Sequence, residues 1–453
     1  MKKRGLAVLA LAAVLSLGSA GISAYAAGWE QQNGSWVYLD SQGTKVYNTW
    51  KKGADGLERY LGSNGNMVVD SWVDDLYYVD SNGIMASGKW LQLGDSHSET
   101  GYSWYYFQTS GKRTEDGWKK INNKSYYFDG NGVMQTGWVD DDLYYCTSSG
   151  DMLTGWQKLE LPEGVDPPEN RDKFEEENLD GKYWFYFGGT GKKVRAEDDT
   201  YREQKIDGIY YVFDADGLMQ TGWTEVDNGG ESEIEGYRYL NASGQVVKGW
   251  ISLEPPEDLA SRYEYDVEWF YFASNGKPKV GPVKGDANTK DFTRIGNLTF
   301  LFNDNGTPVY GLQKVYIGNT GNYTACYFGG RSESSLQKGK MKIEEGDGME
   351  TEFYFATSGQ GLNGIYNNHL YYMGKLQKAE SGSKYQVISI PSDNSNKNYV
   401  VSTAGKIAKN TTVKDGDGNK YKTNSSGILT HINEEAVGSG ESFNAPTEPA
   451  WAD

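Results

Sequence analysis

The sequence predicts an all-β protein, a β-solenoid of stacked β-hairpin repeats with no separate globular domain. A short phrase recurs along most of the chain: a Gly-Trp step, an aromatic strand, a Gly turn, then Gly-Trp again. Glycine supplies 58 of 453 residues, well above the roughly 7% of average proteins. Only 37% of residues are hydrophobic, and an array needs fewer because each hairpin buries its apolar face only against its neighbours.

The clearest copy of the phrase lies between Lys119 and Trp138. Residues 125–129 read as a strand, Asn131-Gly132 as a turn, and residues 133–138 as the return. Asn-Gly between two apolar runs is a strong hairpin signal, because both residues tolerate a positive φ angle. This copy predicts a hairpin as the repeating element.

Alignment on the second aromatic position of the strand shows how often the phrase recurs, and an apolar residue follows that position every time. The aligned residues are Tyr38, Tyr60, Tyr78, Tyr106, Tyr127, Tyr145, Tyr186, Tyr211, Tyr239, Tyr271, Phe300, Tyr327, Tyr354 and Tyr372. Two weaker copies follow at Tyr399 and Tyr421. The aligned copies predict an array that extends over most of the chain.

The repeat pattern weakens along the chain, which predicts five segments. We expect a signal peptide at 1–26, well-formed repeats at 27–250, divergent repeats at 251–373, degenerate repeats at 374–433 and a disordered tail at 434–453. Two acidic, Pro-bearing insertions interrupt the rhythm, at 159–182 and 252–268. They are interpreted either as binding loops or as solvated decoration between strands.

The first residues predict export. Three cationic residues precede an apolar run at 6–17 and a small-x-small step at 24–26, as in a cleaved secretory signal. The apolar run is too short to cross a bilayer of about 30 Å. We therefore expect a secreted protein without a transmembrane anchor, held at the surface of a bacterium, of the Gram-positive kind, by its repeats.

Charge and cysteine content exclude several classes of function. The net charge of −18 becomes −21 once the three signal cations are removed, which disfavours nucleic acid as a partner. It fits a cationic or neutral ligand, or serves solubility alone. Cys146 and Cys326 are too few for a disulfide framework, and we expect both to be buried, small apolar side chains.

Motifs of catalysis and metal binding are missing from the sequence. The three histidines, His97, His369 and His431, lie far apart, and no nucleophile elbow or phosphate loop occurs. Asp415-Gly416-Asp417 begins like a calcium loop but lacks the later glycine and glutamate, so it predicts a hairpin turn. We expect neither an enzyme nor a cofactor or metal.

The tryptophans fall into two positional classes. Nine occupy the Gly-Trp step or its variants, and four precede the aromatic pair, namely Trp36, Trp104, Trp184 and Trp269. Residues two apart share a face of a strand, so Trp104 and Tyr106 point the same way. With a Gly-Trp indole such rings could form a box for a quaternary ammonium group, a platform for a sugar, or simply the core between repeats.

The phrase at 117–138 resembles the cell-wall-binding repeats of the choline-binding family, as found in surface proteins of the clostridial type. The resemblance covers 28–250 well, 251–373 loosely and the rest poorly. It implies a β-solenoid that holds the choline of cell-wall teichoic acids in aromatic boxes shared by consecutive repeats. It also leaves two alternatives, a glycan-binding adhesin and a non-catalytic accessory subunit of a cell-wall hydrolase.

The resemblance places ligand sites where both tryptophan classes meet. The candidate residues for choline or sugar are Trp29, Trp36, Tyr38, Trp50, Trp90, Trp104, Tyr106, Trp118, Tyr127 and Trp138. Most other copies lack a tryptophan before the aromatic pair, and beyond Trp250 the Gly-Trp step itself is lost. No choline site is therefore expected after Trp250.

Overall fold

The structure, a computed structural model, describes residues 26–166 and 181–451, apart from 199, 228, 231, 284, 393, 394 and 439. It divides into two compact units, a first unit of 26–166 with 181–194 and a second unit of 195–451. The predicted signal peptide, except for its last residue, lies outside the described residues. So does most of the insertion predicted at 159–182.

The described part of the first unit consists of seven antiparallel hairpins, each a two-stranded sheet. Their strands pair in sequence order: β1 Gly28–Gln32 with β2 Ser35–Leu39, β3 Thr49–Lys52 with β4 Glu58–Leu61, β5 Ser71–Val73 with β6 Tyr77–Val79, β7 Lys89–Gly94 with β8 Tyr102–Phe107, β9 Gly117–Ile121 with β10 Lys124–Phe128, β11 Gly137–Val139 with β12 Tyr144–Cys146, and β13 Gly155–Leu159 with β14 Tyr183–Phe187.

The second unit begins with five more hairpins and two short 3₁₀ helices, Glu233–Gly236 and Glu257–Arg262. The paired strands are β15 Arg202–Ile206 with β16 Ile209–Phe213, β17 Gly222–Glu225 with β18 Tyr237–Leu240, β19 Gly249–Leu253 with β20 Glu268–Phe272, β21 Thr293–Ile295 with β22 Leu298–Phe300, and β23 Leu312–Tyr316 with β24 Tyr323–Tyr327. The acidic insertion of 252–268 thus contains one of the helices rather than loop alone.

The end of the second unit departs from isolated hairpins. A five-stranded sheet has the order β25-β26-β29-β28-β27, β30 pairs with β31, and a four-stranded sheet runs from β32 to β35. The strands are β25 Gly339–Glu344, β26 Glu350–Phe355, β27 Gly364–Tyr366, β28 His369–Tyr372, β29 Lys375–Leu376, β30 Tyr385–Ile390, β31 Lys397–Ser402, β32 Thr412–Lys414, β33 Lys420–Thr423, β34 Leu429–Ile432 and β35 Glu435–Ala436. The described residues therefore confirm an all-β protein, with larger sheets where the repeats weaken.

One hairpin shows why the phrase folds as it does. We call the residues of its aromatic strand positions a to d, here Ser125, Tyr126, Tyr127 and Phe128. Tyr127 at position c lies opposite Trp118, and Phe128 at position d opposite the preceding glycine. Beyond position d, a carboxylate oxygen of Asp129 accepts two backbone N–H groups of the following turn, each at 2.9 Å. The β9–β10 hairpin itself turns at Asn122 and Asn123, whose φ angles of +49° and +67° suit a two-residue turn that fixes the register. The predicted turn at Asn131-Gly132 instead follows the hairpin and leads to the bridge with Met134.

Position d forms the core of each hairpin interface. Phe128 is fully buried and bridges to Met134, which lies six residues further along the chain. We call this later position the return residue. In the β11–β12 hairpin position d is Cys146, and this thiol is buried and unpaired, as is Cys326 in the second unit. The prediction that both cysteines are buried is therefore confirmed.

Consecutive hairpins are joined by the return residue. The Met134 N–H donates to the carbonyl oxygen of Trp104 in the preceding hairpin at 2.9 Å. The side chain of Met134 packs against the turn of the following hairpin, where Gly150 has a φ of +84°. A Cβ on Gly150 would lie 2.2 Å from the Met134 sulfur. The turn glycine is thus required both by its backbone angle and by this stacking.

Two of the fourteen aligned copies lie in a register one residue later than the sequence alignment predicts, and the weaker copies at Tyr399 and Tyr421 share this shift. Opposite Arg202 stands Phe213, so Val212 rather than Tyr211 occupies position c of its hairpin. Likewise Phe302 bridges to its return residue, so Phe300 occupies position b and not position c. Phe213 and Phe302 are almost fully buried at position d, and Val212 and Leu301 before them are buried as well.

The predicted disordered tail is corrected for the residues that the structure describes. Strand β35 pairs with β34, and Asn444 accepts a backbone hydrogen bond from Ser389 at 2.9 Å. Further on, the Ala450 N–H donates to a carboxylate oxygen of Glu345 at 2.8 Å. Composition predicts disorder here because few side chains are apolar, but hydrogen bonds of the tail backbone and the packing of Phe443 and Trp451 against apolar clusters supply the order.

Candidate functional site: aromatic interfaces between hairpins

Each Gly-Trp tryptophan joins its own hairpin to the next one. The Trp90 ring centroid lies 5.2 Å from that of Tyr106, its cross-strand partner in the β7–β8 hairpin. It lies 4.9 Å from Tyr126 and 5.7 Å from Phe128 in the β9–β10 hairpin. Rings at these spacings each add about 0.5–1.5 kcal/mol beyond their buried area.

The same arrangement recurs at other interfaces within each unit. Every such indole contacts position c of its own hairpin and positions b or d of the next: Trp50 contacts Tyr60 and Tyr77; Trp72 contacts Tyr78, Tyr105 and Phe107; Trp118 contacts Tyr127 and Tyr144; Trp138 contacts Tyr145, Phe185 and Phe187; Trp223 contacts Tyr239, Phe270 and Phe272; Trp250 contacts Tyr271, Phe300 and Phe302. The aromatic residues therefore form the interfaces between hairpins.

Several of these indole N–H groups already have partners. Trp29 donates to the Lys52 carbonyl oxygen at 2.9 Å, and Trp223 donates to that of Glu254 at 2.8 Å. Trp118 donates to an Asp140 carboxylate oxygen at 3.2 Å. A further ligand would therefore meet the rings themselves, which favours cation–π contact or stacking over a hydrogen bond to the indole.

The two faces of a hairpin meet different neighbours. Positions b and d of the β9–β10 hairpin, Tyr126 and Phe128, contact Trp90. Successive side chains of a strand alternate between faces, so Tyr127 lies on the opposite face, where its ring is 5.2 Å from Trp118. The structure thus brings Tyr126 to Trp90, and it does not bring Trp118 or Tyr127 there as the sequence predicted.

Trp104 has the position expected of an additional wall. It stands opposite Gln92, two residues beyond Trp90, and therefore shares a face with Trp90 and Tyr106. Its side chain is 43% exposed. Since the Met134 backbone binds the Trp104 carbonyl oxygen, the next hairpin lies beside this face. We call the surface formed by Trp90, Trp104 and Tyr126 the Trp104 site.

The predicted site around Trp36 is less complete. Trp29 and Tyr38 lie 5.6 Å apart at 86°, and Trp36 shares their face. In the next hairpin, however, position b is the buried Arg59, whose guanidinium group is paired with Asp55 at 2.7 Å. The predicted partner Trp50 occupies the opposite face, beside Tyr60 and Tyr77. A cation rather than a ring thus stands where a further aromatic wall would be needed.

Two further tryptophans at position a were not placed in sites by the sequence analysis. Trp184 is 41% exposed, and its ring lies 6.4 Å from Trp156 at 85°. Trp269 is 42% exposed and shares a face with Trp250, which contacts Phe300 of the next hairpin. The signal was present in the sequence, since both tryptophans belong to the class of Trp104. The Gly-Trp step is lost only after Trp250, so Trp269 still has the Trp250 indole on its own face.

The predicted residue Trp138 already has a cation on its ring. The Lys193 ammonium nitrogen lies 4.7 Å from the Trp138 centroid and 5.6 Å from that of Phe185. At Trp72 the Arg113 guanidinium carbon lies 5.9 Å from the ring centroid. Both tryptophans belong to hairpins in which position a is leucine, Leu143 and Leu76.

Acidic side chains surround several of the rings. Burial, and then the charges of Asp140, Asp141 and Asp116, raise the pKa of Tyr127 above its ordinary value. The phenol therefore stays neutral at physiological pH and presents an uncharged ring beside negative charge. Such a surface favours an approaching cation.

Neither a metal centre nor a membrane span is seen in the part of the chain that the structure describes. No group of three or more His, Cys, Asp or Glu side chains there could hold a metal ion. None of the helices formed by those residues is long and apolar enough to cross a membrane.

An all-β array with an aromatic interface between hairpins defines a repeat protein built for binding. A family model for the choline-binding repeat matches residues 116–155, and a model for a cell wall binding repeat matches residues 27–45. The chain therefore carries choline-binding, cell-wall-binding repeats, and the family resemblance predicted from the sequence is confirmed.

Curated relatives share part of the chain. It is 26% identical over 300 residues to Glucosyltransferase-S of Streptococcus mutans, and 25% identical over 300 residues to Glucosyltransferase-I of Streptococcus downei. These matches cover 66% and 64% of this chain but only 16% and 14% of the relatives' own length.

Solved structures from Streptococcus pneumoniae are also similar. The modular autolysin LytC is 21% identical, with 64% of this chain and 54% of that chain covered and a TM-score of 0.38. CbpJ is 20% identical, with 69% and 100% covered and a TM-score of 0.39. At these identities and TM-scores the likenesses add nothing to the fold described above.

Proposed function

We propose that this chain is a secreted protein that attaches non-covalently to the envelope of a Gram-positive bacterium by binding the choline-like groups of teichoic acids. The observation that carries the proposal is the Trp104 site, where the exposed Trp104 stands beside Trp90 on the face that meets Tyr126. Electron-rich ring faces attract a quaternary ammonium group, which is too bulky to be hydrogen-bonded, by about 0.5–2 kcal/mol for each contact.

The proposal includes the predicted arrangement of the chain. Within each unit the hairpins stack in series as a β-solenoid, and the choline-binding interfaces, apart from the Trp269 position, lie in the segment 27–250. Divergent and degenerate repeats occupy 251–373 and 374–433. The signal peptide at 1–26 directs export, and the repeats hold the protein at the cell surface. The two matched repeats, at 27–45 and 116–155, lie within the segment 27–250.

Among the predicted ligand residues we assign the Trp104 site first. Trp104, Trp90 and Tyr106 share one face, and the next hairpin supplies Tyr126. The Trp184 and Trp269 positions are assigned next because each has an exposed tryptophan beside a Gly-Trp indole. The Trp36 position ranks below them, since Arg59 places a like charge near an incoming cation.

The acidity of the chain supports a cationic ligand. Without the signal cations its net charge is −21, so the field of the protein attracts cations and repels the phosphates of a bare polyanion. A choline-bearing teichoic acid carries positive ammonium groups as well as negative phosphates. We therefore expect the aromatic sites to take the ammonium groups while the phosphates stay in solvent.

Glycan binding is the second candidate function. It is favoured by the sequence similarity to two glucosyltransferases and by the exposed indoles of Trp104, Trp184 and Trp269, since flat rings also stack on sugars. In either case we propose that the chain binds without catalysing a reaction. A gel containing cell walls tests this, because a cleared zone around the purified chain would show muralytic activity.

The proposed function is tested by titrating the signal-free chain with choline while Trp fluorescence and heat are recorded. Soluble glucans are titrated in parallel. The variant Trp104→Ala removes one ring of the Trp104 site, and Tyr47→Ala removes a similarly exposed ring outside any aromatic interface. We expect saturable choline binding that Trp104→Ala reduces by one site and that Tyr47→Ala leaves unchanged.

Each result decides between the candidates. Choline binding that depends on Trp104, with elution from cell walls by free choline, supports envelope attachment through choline. Saturable binding of a glucan without any response to choline would instead make the chain a glycan-binding adhesin.

A further inference from the structure

We propose that Lys193 and Arg113 are built-in ligands that occupy the ring faces of Trp138 and Trp72 and close these interfaces to external quaternary ammonium groups. The inference rests on the proposed function. It adds that choline binds only at aromatic interfaces whose rings are not already covered by a cation of the chain itself. It also removes Trp138 from the predicted ligand-binding residues.

The backbone places three return residues equivalently. Each return N–H donates to the carbonyl oxygen at position a of the preceding hairpin: Met134 to Trp104 at 2.9 Å, Arg113 to Leu76 at 2.8 Å, and Lys193 to Leu143 at 2.7 Å. Each return residue also lies six residues beyond position d. The three side chains therefore start from the same place at their interfaces.

Lys193 shows what this placement achieves. Its ammonium nitrogen lies 4.7 Å from the Trp138 ring and 5.6 Å from the ring of Phe185. Phe185 occupies position b of its hairpin, as Tyr126 does at the Trp104 site. Lys193 is only 6% exposed, so a positive charge is held between the two rings on which an external ammonium group would otherwise rest.

Arg113 repeats the arrangement three hairpins earlier. Its guanidinium carbon lies 5.9 Å from the Trp72 ring, and Glu115 accepts a hydrogen bond from its Nε at 2.9 Å. The ion pair holds the side chain in place, and its side chain is only 16% exposed. An external cation at Trp72 would have to displace a tethered one and would meet like charge while doing so.

At these three interfaces, the type of side chain at position a goes with the charge of the return residue. At the Trp104 site position a is an aromatic wall and the return residue is the uncharged Met134. At the two closed interfaces position a is Leu76 or Leu143 and the return residue is cationic. At these three interfaces the sequence thus provides either a second tryptophan for an external cation or an internal cation, but not both.

The test uses the signal-free chain labelled with ¹⁵N at tryptophan indoles and titrated with choline chloride, with sodium chloride as the control for ionic strength. The variant Lys193→Met gives Trp138 the return residue found at the Trp104 site. Lys193→Arg keeps the cation, and Leu143→Trp/Lys193→Met also restores the missing wall. Trp138→Phe in each background identifies the Trp138 signal.

We expect the Trp138 signal of the wild type and of Lys193→Arg to stay unchanged as choline is added. In Lys193→Met it should shift saturably, and the double variant should bind about tenfold more tightly and add one site to the calorimetric stoichiometry. Arg113→Met tests the same claim independently at Trp72. A thermal melt of every variant separates loss of folding from loss of binding.

Two results overturn the inference: a saturable shift of Trp138 in the wild type, or no shift in folded variants that lack the cation at either interface. The proposed function is judged separately, by the response of Trp90 and its loss in Trp104→Ala. A Trp138 site that opens in Lys193→Met while Trp90 stays silent would leave the inference standing and contradict the proposed function.

Discussion

The indole of Trp90 lies 4.9 Å from the ring of Tyr126 in the next hairpin, at an angle of 64°. Tyr127, the adjacent residue, lies on the other face, where its ring is 5.2 Å from Trp118. A binding site at this interface is therefore shared by two hairpins, and only one of two neighbouring tyrosines belongs to it. Ligand binding and hairpin stacking use the same rings.

This assignment of faces predicts different effects for two neighbouring substitutions. Tyr126→Leu should weaken choline binding at the Trp104 site by about 2- to 30-fold, since one ring contact contributes about 0.5–2 kcal/mol. Tyr127→Leu should leave that site unchanged, because its ring faces the following interface. The Trp90 indole signal during a choline titration measures both affinities. Equal losses in the two variants would show that the faces are assigned incorrectly.

The stacking of a turn glycine on a return methionine predicts an unequal pair of glycine substitutions. Gly150 and Gly137 both have positive φ angles, +84° and +75°, so alanine costs each about 1–2 kcal/mol of backbone strain. Only at Gly150 would the new Cβ meet Met134, 2.2 Å from its sulfur, while at Gly137 it would meet nothing within 4 Å. Gly150→Ala should therefore destabilise the first unit by about 1–3 kcal/mol more than Gly137→Ala.

Thermal unfolding and native-state hydrogen exchange measure the two losses. Adding Met134→Ala to Gly150→Ala should recover part of the extra loss, because the shorter side chain no longer meets the Cβ. Strictly additive effects of the two substitutions would contradict direct stacking between them.

A half-buried turn aspartate predicts a pH-dependent stability of the second unit. Burial, and to a lesser extent the charge of Asp216, raises the pKa of Asp214 to about 6. Since the folded pKa exceeds the ordinary value of 3.8, ionisation of this group opposes folding. The contribution of Asp214 to the free energy of unfolding is therefore most favourable at low pH. It falls by roughly 2–3 kcal/mol as the pH rises from about 4 through 6.

The variant Asp214→Asn should remove this loss. Asn241 fills the equivalent turn position of the next hairpin and accepts the same backbone hydrogen bonds, so the substitution keeps the turn. Melts of the variant and the wild type should diverge as the pH rises from 4 to 7, with the variant more stable. Asp216→Asn keeps the carboxyl of Asp214 and should still lose stability with rising pH. Parallel curves for Asp214→Asn and the wild type would disprove the assignment.

A buried amide holds one part of the ordered tail. Gln377 is 1% exposed, and its side chain donates to the Thr447 carbonyl oxygen at 2.9 Å and accepts the Thr447 N–H at 2.8 Å. Gln377→Ala removes both hydrogen bonds, at about 0.5–1.5 kcal/mol each. Hydrogen exchange at the Ala450 N–H, which donates to Glu345, should become about tenfold faster. Gln313→Ala, which removes an exposed hydrogen bond elsewhere, should have no such effect.

Local chemistry made the hairpins predictable. Asn122 and Asn123 form the two-residue turn of the β9–β10 hairpin, and the register that this turn sets places Tyr127 opposite Trp118. The sequence analysis recognised the hairpin but placed its turn at Asn131-Gly132, which is the turn that follows. The two misplaced copies, at Tyr211 and Phe300, have two adjacent apolar residues after an aromatic residue. Both of these residues are buried in each copy, so apolar character alone does not reveal which of them occupies position d.

The candidate sites were predictable only in part. Trp90 and Trp104 follow from alternation along one hairpin, but the choice of Tyr126 over Tyr127 depends on which face meets the neighbour. The cations of Lys193 and Arg113 reach their indoles from return segments far along the sequence. The tail likewise depends on contacts with distant residues, since Ala450 pairs with Glu345.

A crystal structure of the chain at saturating choline tests the central claim most directly. We predict a quaternary ammonium group at the Trp104 site, within cation–π distance of Trp90, Trp104 and Tyr126, and none at Trp72 or Trp138. A Trp104 site without ligand under these conditions, or choline bound instead on the Trp118 and Tyr127 face alone, would contradict the account.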